Sequence, residues 1–226
     1  VGTFDRDTTF VSNAVEAINK QDVDMVVFTG DIVNRRATEL EAFVNTLSSL
    51  QSQDGVYSVL GNHDYGDYVN WTDDEEKIAD FNKLRSLQKS MNWKLLMNET
   101  QFIYRGNDSI ALIGVENWGD PPFPVYGDLK QSYKNLSDST IKVLLTHNPA
   151  HWVAEIADND SCNIALTLSG HTHAMQISIK CMEWGGKYED NSKKHILYVN
   201  IGLGTVGIPT RIGANPEITI LTLRRK

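Results

Sequence analysis

The sequence predicts an α/β fold, a four-layer α/β/β/α sandwich of two mixed sheets flanked by helices. Short apolar runs that end in glycine and polar residues alternate with amphipathic stretches through the first ninety residues, which is the pattern of βαβ units. The second half carries more strand-like runs than helical ones. The length, 226 residues, suits one domain with a sizeable core. Residues 1–226 are therefore expected to form a single domain whose two halves pack as two sheets.

The elements follow in order. Phe10, Val11, Ala14, Val15, Ala17 and Ile18 recur at helical spacing, so residues 8–20 are expected to be helix with Thr8 or Thr9 as N-cap. Residues 24–29 read as a fully buried strand ending on Gly30-Asp31. Residues 38–52 place Leu40, Phe43, Val44, Leu47 and Leu50 on one helical face, and residues 56–60 form the next strand. Residues 73–91 run from Asp73, Asp74, Glu75 and Glu76 to Lys83, Arg85 and Lys89, a polarity that complements the helix dipole. Ile78, Phe81, Leu84 and Leu87 are its expected inner face. Strands are then expected at 101–105, 109–116, 141–146, 164–169, 176–179, 197–201 and 218–223. Residues 117–131, with Pro121, Pro122 and Pro124, read as one loop, and 182–195 as another.

The formal charge of −8 argues against a broad basic surface for nucleic acid. It leaves room for an anionic substrate in a cleft made positive by cations. No apolar run approaches the roughly 20 residues that span a bilayer. Cys162 and Cys181 lack zinc-ribbon or CxxC spacing and are expected to be buried small apolar residues.

Polar clusters follow directly on buried strands, where α/β sheets bind ligands. They are Gly30-Asp31, Gly61-Asn62-His63-Asp64, His147 and Gly170-His171-Thr172-His173. Singly each is weak. Together they offer a carboxylate (Asp31), an amide oxygen (Asn62) and three imidazoles (His147, His171, His173), a mixed set suited to manganese, iron or zinc. His151 and His195 lie outside these clusters and are expected at the surface or behind the ligands.

These blocks, in this order, make the sequence similar to the calcineurin-like metallophosphoesterases, whose pattern is D-x-H, G-D, G-N-H-D/E, a lone H and G-H-x-H. The endings Tyr198–Gly204, Pro209–Gly213 and Asn215–Glu217 resemble the bacterial YkuE-type branch. The resemblance implies a metal-dependent phosphoesterase that cleaves phosphomonoester, phosphodiester or pyrophosphate bonds with a metal-activated hydroxide. Asp31 would bridge two divalent ions, Asn62, His147 and His171 would complete one shell, and His173 would bind the other ion. His63 would act as acid or charge stabiliser, with Asp64 orienting its ring. The substrate would be a small-molecule, nucleotide or lipid-linked phosphoester. A lipid-precursor pyrophosphatase and a non-catalytic scaffold of this fold are the alternatives. Trp71, Trp93, Trp118 and Phe123 are candidates for an apolar surface that would favour lipid.

Two departures qualify the resemblance. The D-x-H block and its strand are absent, and Val1-Gly2 reads as the tail of that block. This chain is therefore expected to hold one ion well and the second poorly, with Asp5 or Asp7 as conceivable substitutes. The parent protein is expected to carry the missing N-terminus, which would also allow membrane attachment or export. Asn34 and Arg36 break the G-D-x-x-D-R-G pattern of protein serine/threonine phosphatases, which argues against a phosphoprotein substrate.

Overall fold

The structure, a computed structural model, describes residues 1–4, 6–119, 123–134, 136–159, 161–175, 185–206 and 210–224. It contains two sheets. The first is three-stranded and parallel, in the order β1 (Met25–Phe28), β2 (Gly55–Ser58) and β3 (Trp93–Leu95). The second has six strands: β4 (Glu99–Arg105), β5 (Asp108–Gly114), β6 (Ile141–Leu145), β7 (Leu166–Ser169), β8 (Gly186–Glu189) and β9 (Ile196–Val199). Their order is β4-β5-β6-β7-β9-β8, parallel through β5, β6, β7 and β9 and antiparallel at both edges.

The two-residue period of the strands builds the layers. Val26 and Phe28 face a core with Val11, Val15, Leu40, Phe43 and Leu84. Met25 and Val27 face the other way and meet Tyr57, Val59, Leu112, Val143 and Leu145 between the sheets. On the far side of the second sheet, Ile113, Leu144, Leu197 and Val199 pack under Leu129, Trp152 and Ile156. Both faces of both sheets are thus covered, so stretches of the central strands such as residues 111–113 and 143–145 are apolar in succession. The outer layers are α1 (Thr9–Asn19), α2 (Val44–Leu47) and α3 (Asp74–Ser90) on one side. On the other lie α4 (Leu129–Tyr133) and a π-helical turn at Trp152–Ile156.

Several expectations need correction. Residues 38–52 are a 3₁₀ helix over Ala37–Phe43 followed by the single turn α2; the stripe of Leu40, Phe43 and Leu47 fits either helical period. Strands β3 and β8 were not expected, because each gains its form from pairing with a neighbour rather than from its own short sequence. Residues 218–223 form no ladder among the described residues, and Ile218, Ile220, Leu221 and Leu223 are exposed. Residues 176–179, Cys181 and Asp5 lie outside the described residues. Ile78 is exposed rather than inward, and Cys162 is half-buried as a free thiol. The α1 N-terminus is held by Asp7, which accepts the Thr9 N–H at 2.9 Å, while the Thr8 side chain makes no cap bond. Asp7 is exposed and serves as that cap.

His151 and His195 are both buried rather than at the surface. His195 Nδ1 donates to the Ile164 carbonyl at 2.8 Å. His151 stacks on Trp118 at 5.7 Å and meets Thr146 Oγ1 at 3.1 Å. Each also faces a carboxylate, His151 Nε2 lying 3.6 Å from Glu155 and His195 Nε2 3.9 Å from Asp190.

Candidate metal centre

Four parallel strands deliver the polar clusters at their carboxyl ends: β1 leads to Asp31, β2 to Asn62, β6 to His147 and β7 to His171. His147 sits where the two sheets meet. Its Nδ1–H donates to the Thr29 carbonyl beyond β1 at 2.7 Å. This fixes the tautomer, so the Nε2 lone pair is the one turned to the cluster. Nε2 lies 3.1 Å from Asp31 Oδ2 and 3.0 Å from His171 Nδ1. Asp31, His147 and His171 each offer one ligand atom, and those atoms all lie within 4.8 Å of one another. Lone pairs converging on one point are what a cation satisfies.

Two further atoms fit that reading. Asn62 Oδ1 and His173 Nδ1 are buried and have no hydrogen-bond partner among the described residues. An orphaned buried acceptor costs about 1–3 kcal/mol, and ligation would remove that cost. Tyr68 decides which end of the Asn62 amide is left over, since its hydroxyl accepts from Nδ2 at 2.7 Å. His173 is approached by the Gly204 carbonyl. That loop is gripped by Arg211, whose guanidinium donates to the carbonyls of Ile201, Gly202, Gly204 and Ala214.

The local electrostatics suit a cation. Burial alone would raise the Asp31 carboxyl, but the His147 imidazole and the His63 N–H hold it well below the usual carboxylate range. Burial opposes protonation of His147, yet Asp31 and the Thr29 carbonyl raise it. Desolvation of the His171 ring, together with neighbouring His147, brings that imidazole down to about 4, so it is neutral and ready to ligate at neutral pH.

Two carboxylates hold the loop after β1. Asp64 accepts the N–H groups of Asp31, Ile32 and Gly61 at 2.9 Å each and that of Val33 at 3.3 Å. Burial and the adjacent Asp31 charge push its carboxyl up to about 6, against the pull of those donors. Glu39 accepts from Asn34, Arg35 and Arg36 at 2.7, 3.0 and 3.2 Å. Asn34 is thereby placed so that its carbonyl accepts from His63 Nδ1 at 2.7 Å. The ring of His63 is therefore oriented by Asn34 and not by Asp64, contrary to the sequence expectation. Adjacent residues on a tight 3₁₀ turn, Asn62–Tyr65, send their side chains in different directions. His63 also stacks on Tyr68 at 4.4 Å, and its backbone N–H meets Asp31 Oδ1 at 3.0 Å.

The approach of these loops depends on glycine. Gly30 has φ +97°, and a Cβ there would come within 2.7 Å of His147 Nδ1. A Cβ on Gly61 would overlap Asp31 Oδ1 and lie 2.7 Å from His147 Cε1. Gly61→Ala is expected to cost about 1–3 kcal/mol by overpacking and to weaken manganese binding; chemical denaturation and metal titration of the variant measure both.

Asp31, His147 and His171 thus come together, with Asn62, His63 and Asp64 on the adjoining turn and His173 two residues beyond His171. Glu39, Tyr68 and Arg211 were not singled out from the sequence, and Asn34 was noted only as a departure from the protein phosphatase pattern. Of the four aromatic candidates, Trp93 is buried, Trp71 donates to the Gly66 carbonyl, Trp118 stacks on His151 and Phe123 is exposed.

Comparison with known proteins finds a matching family model and several relatives. The family model for calcineurin-like phosphoesterases matches residues 4–175. An uncharacterized metallophosphoesterase of Campylobacter jejuni is 31% identical over 229 residues, 96% of this chain and 55% of its own length. Bacillus subtilis YkuE is 30% identical, covering 95% of this chain and 72% of YkuE. The bovine "transmembrane protein with metallophosphoesterase domain" is 31% identical, covering 93% of this chain and 48% of that protein. The chain spans about half the length of the Campylobacter and bovine relatives. Among the described residues, no helix is long and apolar enough to cross a membrane. The fold is similar to that of sulfate thiohydrolase SoxB from Thermus thermophilus, with a TM-score of 0.54 at 14% identity over 84% of this chain and 37% of SoxB. It is likewise similar to the NAD nucleotidase of Haemophilus influenzae, with a TM-score of 0.50 at 16% identity over 84% of this chain and 38% of that one.

Proposed function

This chain belongs to the calcineurin-like phosphoesterase family, and on that premise we propose that it hydrolyses phosphoester bonds with divalent metal held by Asp31, Asn62, His147 and His171. The observation that carries the reading is the convergence of His147 Nε2, Asp31 Oδ2 and His171 Nδ1, supported by the buried Asn62 Oδ1 that has no partner among the described residues. His173 would serve a second ion that shares Asp31, and we propose that the first site fills more tightly. Manganese, iron and zinc all suit the donor set. Bound divalent ions would supply Lewis acidity toward the phosphoryl oxygens and lower the pKa of water.

The chain's own residues do the rest. His63, its Nδ1–H committed to Asn34, presents Nε2 as the nitrogen able to hold a proton for the leaving oxygen. Asp64 and Glu39 keep the loop between Asp31 and Arg36 in place. The substrate would be a small phosphomonoester, phosphodiester or pyrophosphate, nucleotide or lipid-linked. Attachment of the whole protein to a membrane is an arrangement that the bovine relative's name suggests.

The test is hydrolysis of p-nitrophenyl phosphate and its bis-ester with manganese, zinc or iron. Activity is expected to vanish with chelator, and His63→Ala is expected to lower kcat by about 10²–10⁴, as loss of a general acid does. Absence of hydrolysis under every metal would overturn the reading in favour of a binding scaffold.

A further inference from the structure

Around Tyr68 lies a cavity of about 350 Å³ whose lining also includes Arg35, Arg36, Thr38, Glu39, Val69 and Asn70; the Glu39 carboxylate there is engaged by the N–H groups of Asn34, Arg35 and Arg36. It adjoins the candidate centre through Tyr68, which stacks on His63 and accepts from Asn62. Its two arginines are employed differently. Arg36 donates to Glu76 at 3.1 Å and lies 4.2 Å over the Trp71 ring. Arg35 is exposed, and its guanidinium has no hydrogen bond or ion pair among the described residues. Its backbone N–H is nonetheless fixed by Glu39. A cation with no partner, rooted on a held loop, stands in a chain whose net charge is −8. Such a group draws anions into the cleft it faces. Tyr68 keeps 45% of its surface open while one face lies on His63.

We infer that this cavity binds the part of the substrate beyond the scissile bond, and that Arg35 selects substrates carrying a second phosphate there. A guanidinium offers the planar pair of donors that a phosphate accepts. The open part of the Tyr68 ring gives the organic portion a flat surface to lie on. The inference rests on the phosphoesterase reading for its chemistry, but its binding step can be measured separately.

The experiment compares wild type with Arg35→Ala and Arg35→Lys, using the full chain with and without manganese. Calorimetry would follow binding of imidodiphosphate and of inorganic phosphate, and kinetics would follow ADP and p-nitrophenyl phosphate. Wild type is expected to prefer imidodiphosphate. Arg35→Ala is expected to lose about tenfold in that affinity and in kcat/KM for ADP, with phosphate and p-nitrophenyl phosphate unchanged and lysine restoring part of the loss. Equal affinity for imidodiphosphate in wild type and Arg35→Ala, or an equal fall for both anions, would overturn the subsite. Arg35-dependent imidodiphosphate binding without any hydrolysis would support the subsite and sink the phosphoesterase reading instead.

Discussion

Asp64→Ala is expected to lower the melting temperature by about 10 °C. Among the described residues, the Asp64 carboxylate is the one side chain that the N–H groups of Asp31, Ile32, Val33 and Gly61 meet in common. Alanine would strand four donors in the interior. Each stranded group costs about 1–3 kcal/mol, with part recovered by water and relaxation, so a total near 4 kcal/mol is reasonable. A domain of this size loses roughly 2–4 °C per kcal/mol. Asp64→Asn keeps one acceptor oxygen and should fall between the two. Thermal unfolding followed by circular dichroism checks this, and a variant melting within about 2 °C of wild type would show that the loop does not depend on the carboxylate. Hydrolysis should fall in step, because the same bonds hold Asp31 against His147.

Asp31→Asn should do the opposite: leave the fold nearly intact and remove function. The amide oxygen can still accept the His63 N–H that Asp31 Oδ1 now accepts. What disappears is the negative charge beside His147 and His171. Loss of an outer partner to a ligand already costs 10–100-fold. Loss of the central anionic donor should exceed about 100-fold in manganese affinity and in phosphoesterase kcat/KM. Metal titration and kinetics on the same preparation decide it. Unchanged metal affinity in Asp31→Asn would remove Asp31 from the ligand set.

The layered fold was legible because burial on both faces writes itself into sequence as short continuous apolar runs, as in residues 111–113 and 143–145. The candidate ligands Asp31, Asn62 and His171 were legible because each lies at a strand end next to a glycine whose missing Cβ lets the loops approach, and His147 because it closes an apolar strand. What escaped is what side-chain identity does not encode. The partner of the His63 ring is the backbone carbonyl of Asn34. The role of Asp64 comes from amides about thirty residues earlier in the chain. Strands β3 and β8 exist through their neighbours. Apolar patterning also misleads at the surface: Ile78 and residues 218–223 look like core and are exposed.

The hydrogen bond from His147 to Thr29 joins the end of the second sheet to the end of the first. Asp31 and Asn62 arrive from one sheet, His147 and His171 from the other. A cation shared among them would therefore rivet the two halves of the molecule. An ion present at 100 times its Kd adds about 2.7 kcal/mol to a folded state that alone can bind it. The abundance of such a protein would then follow the metal supply of its surroundings, since chains starved of the ion would be the ones most often open to proteolysis.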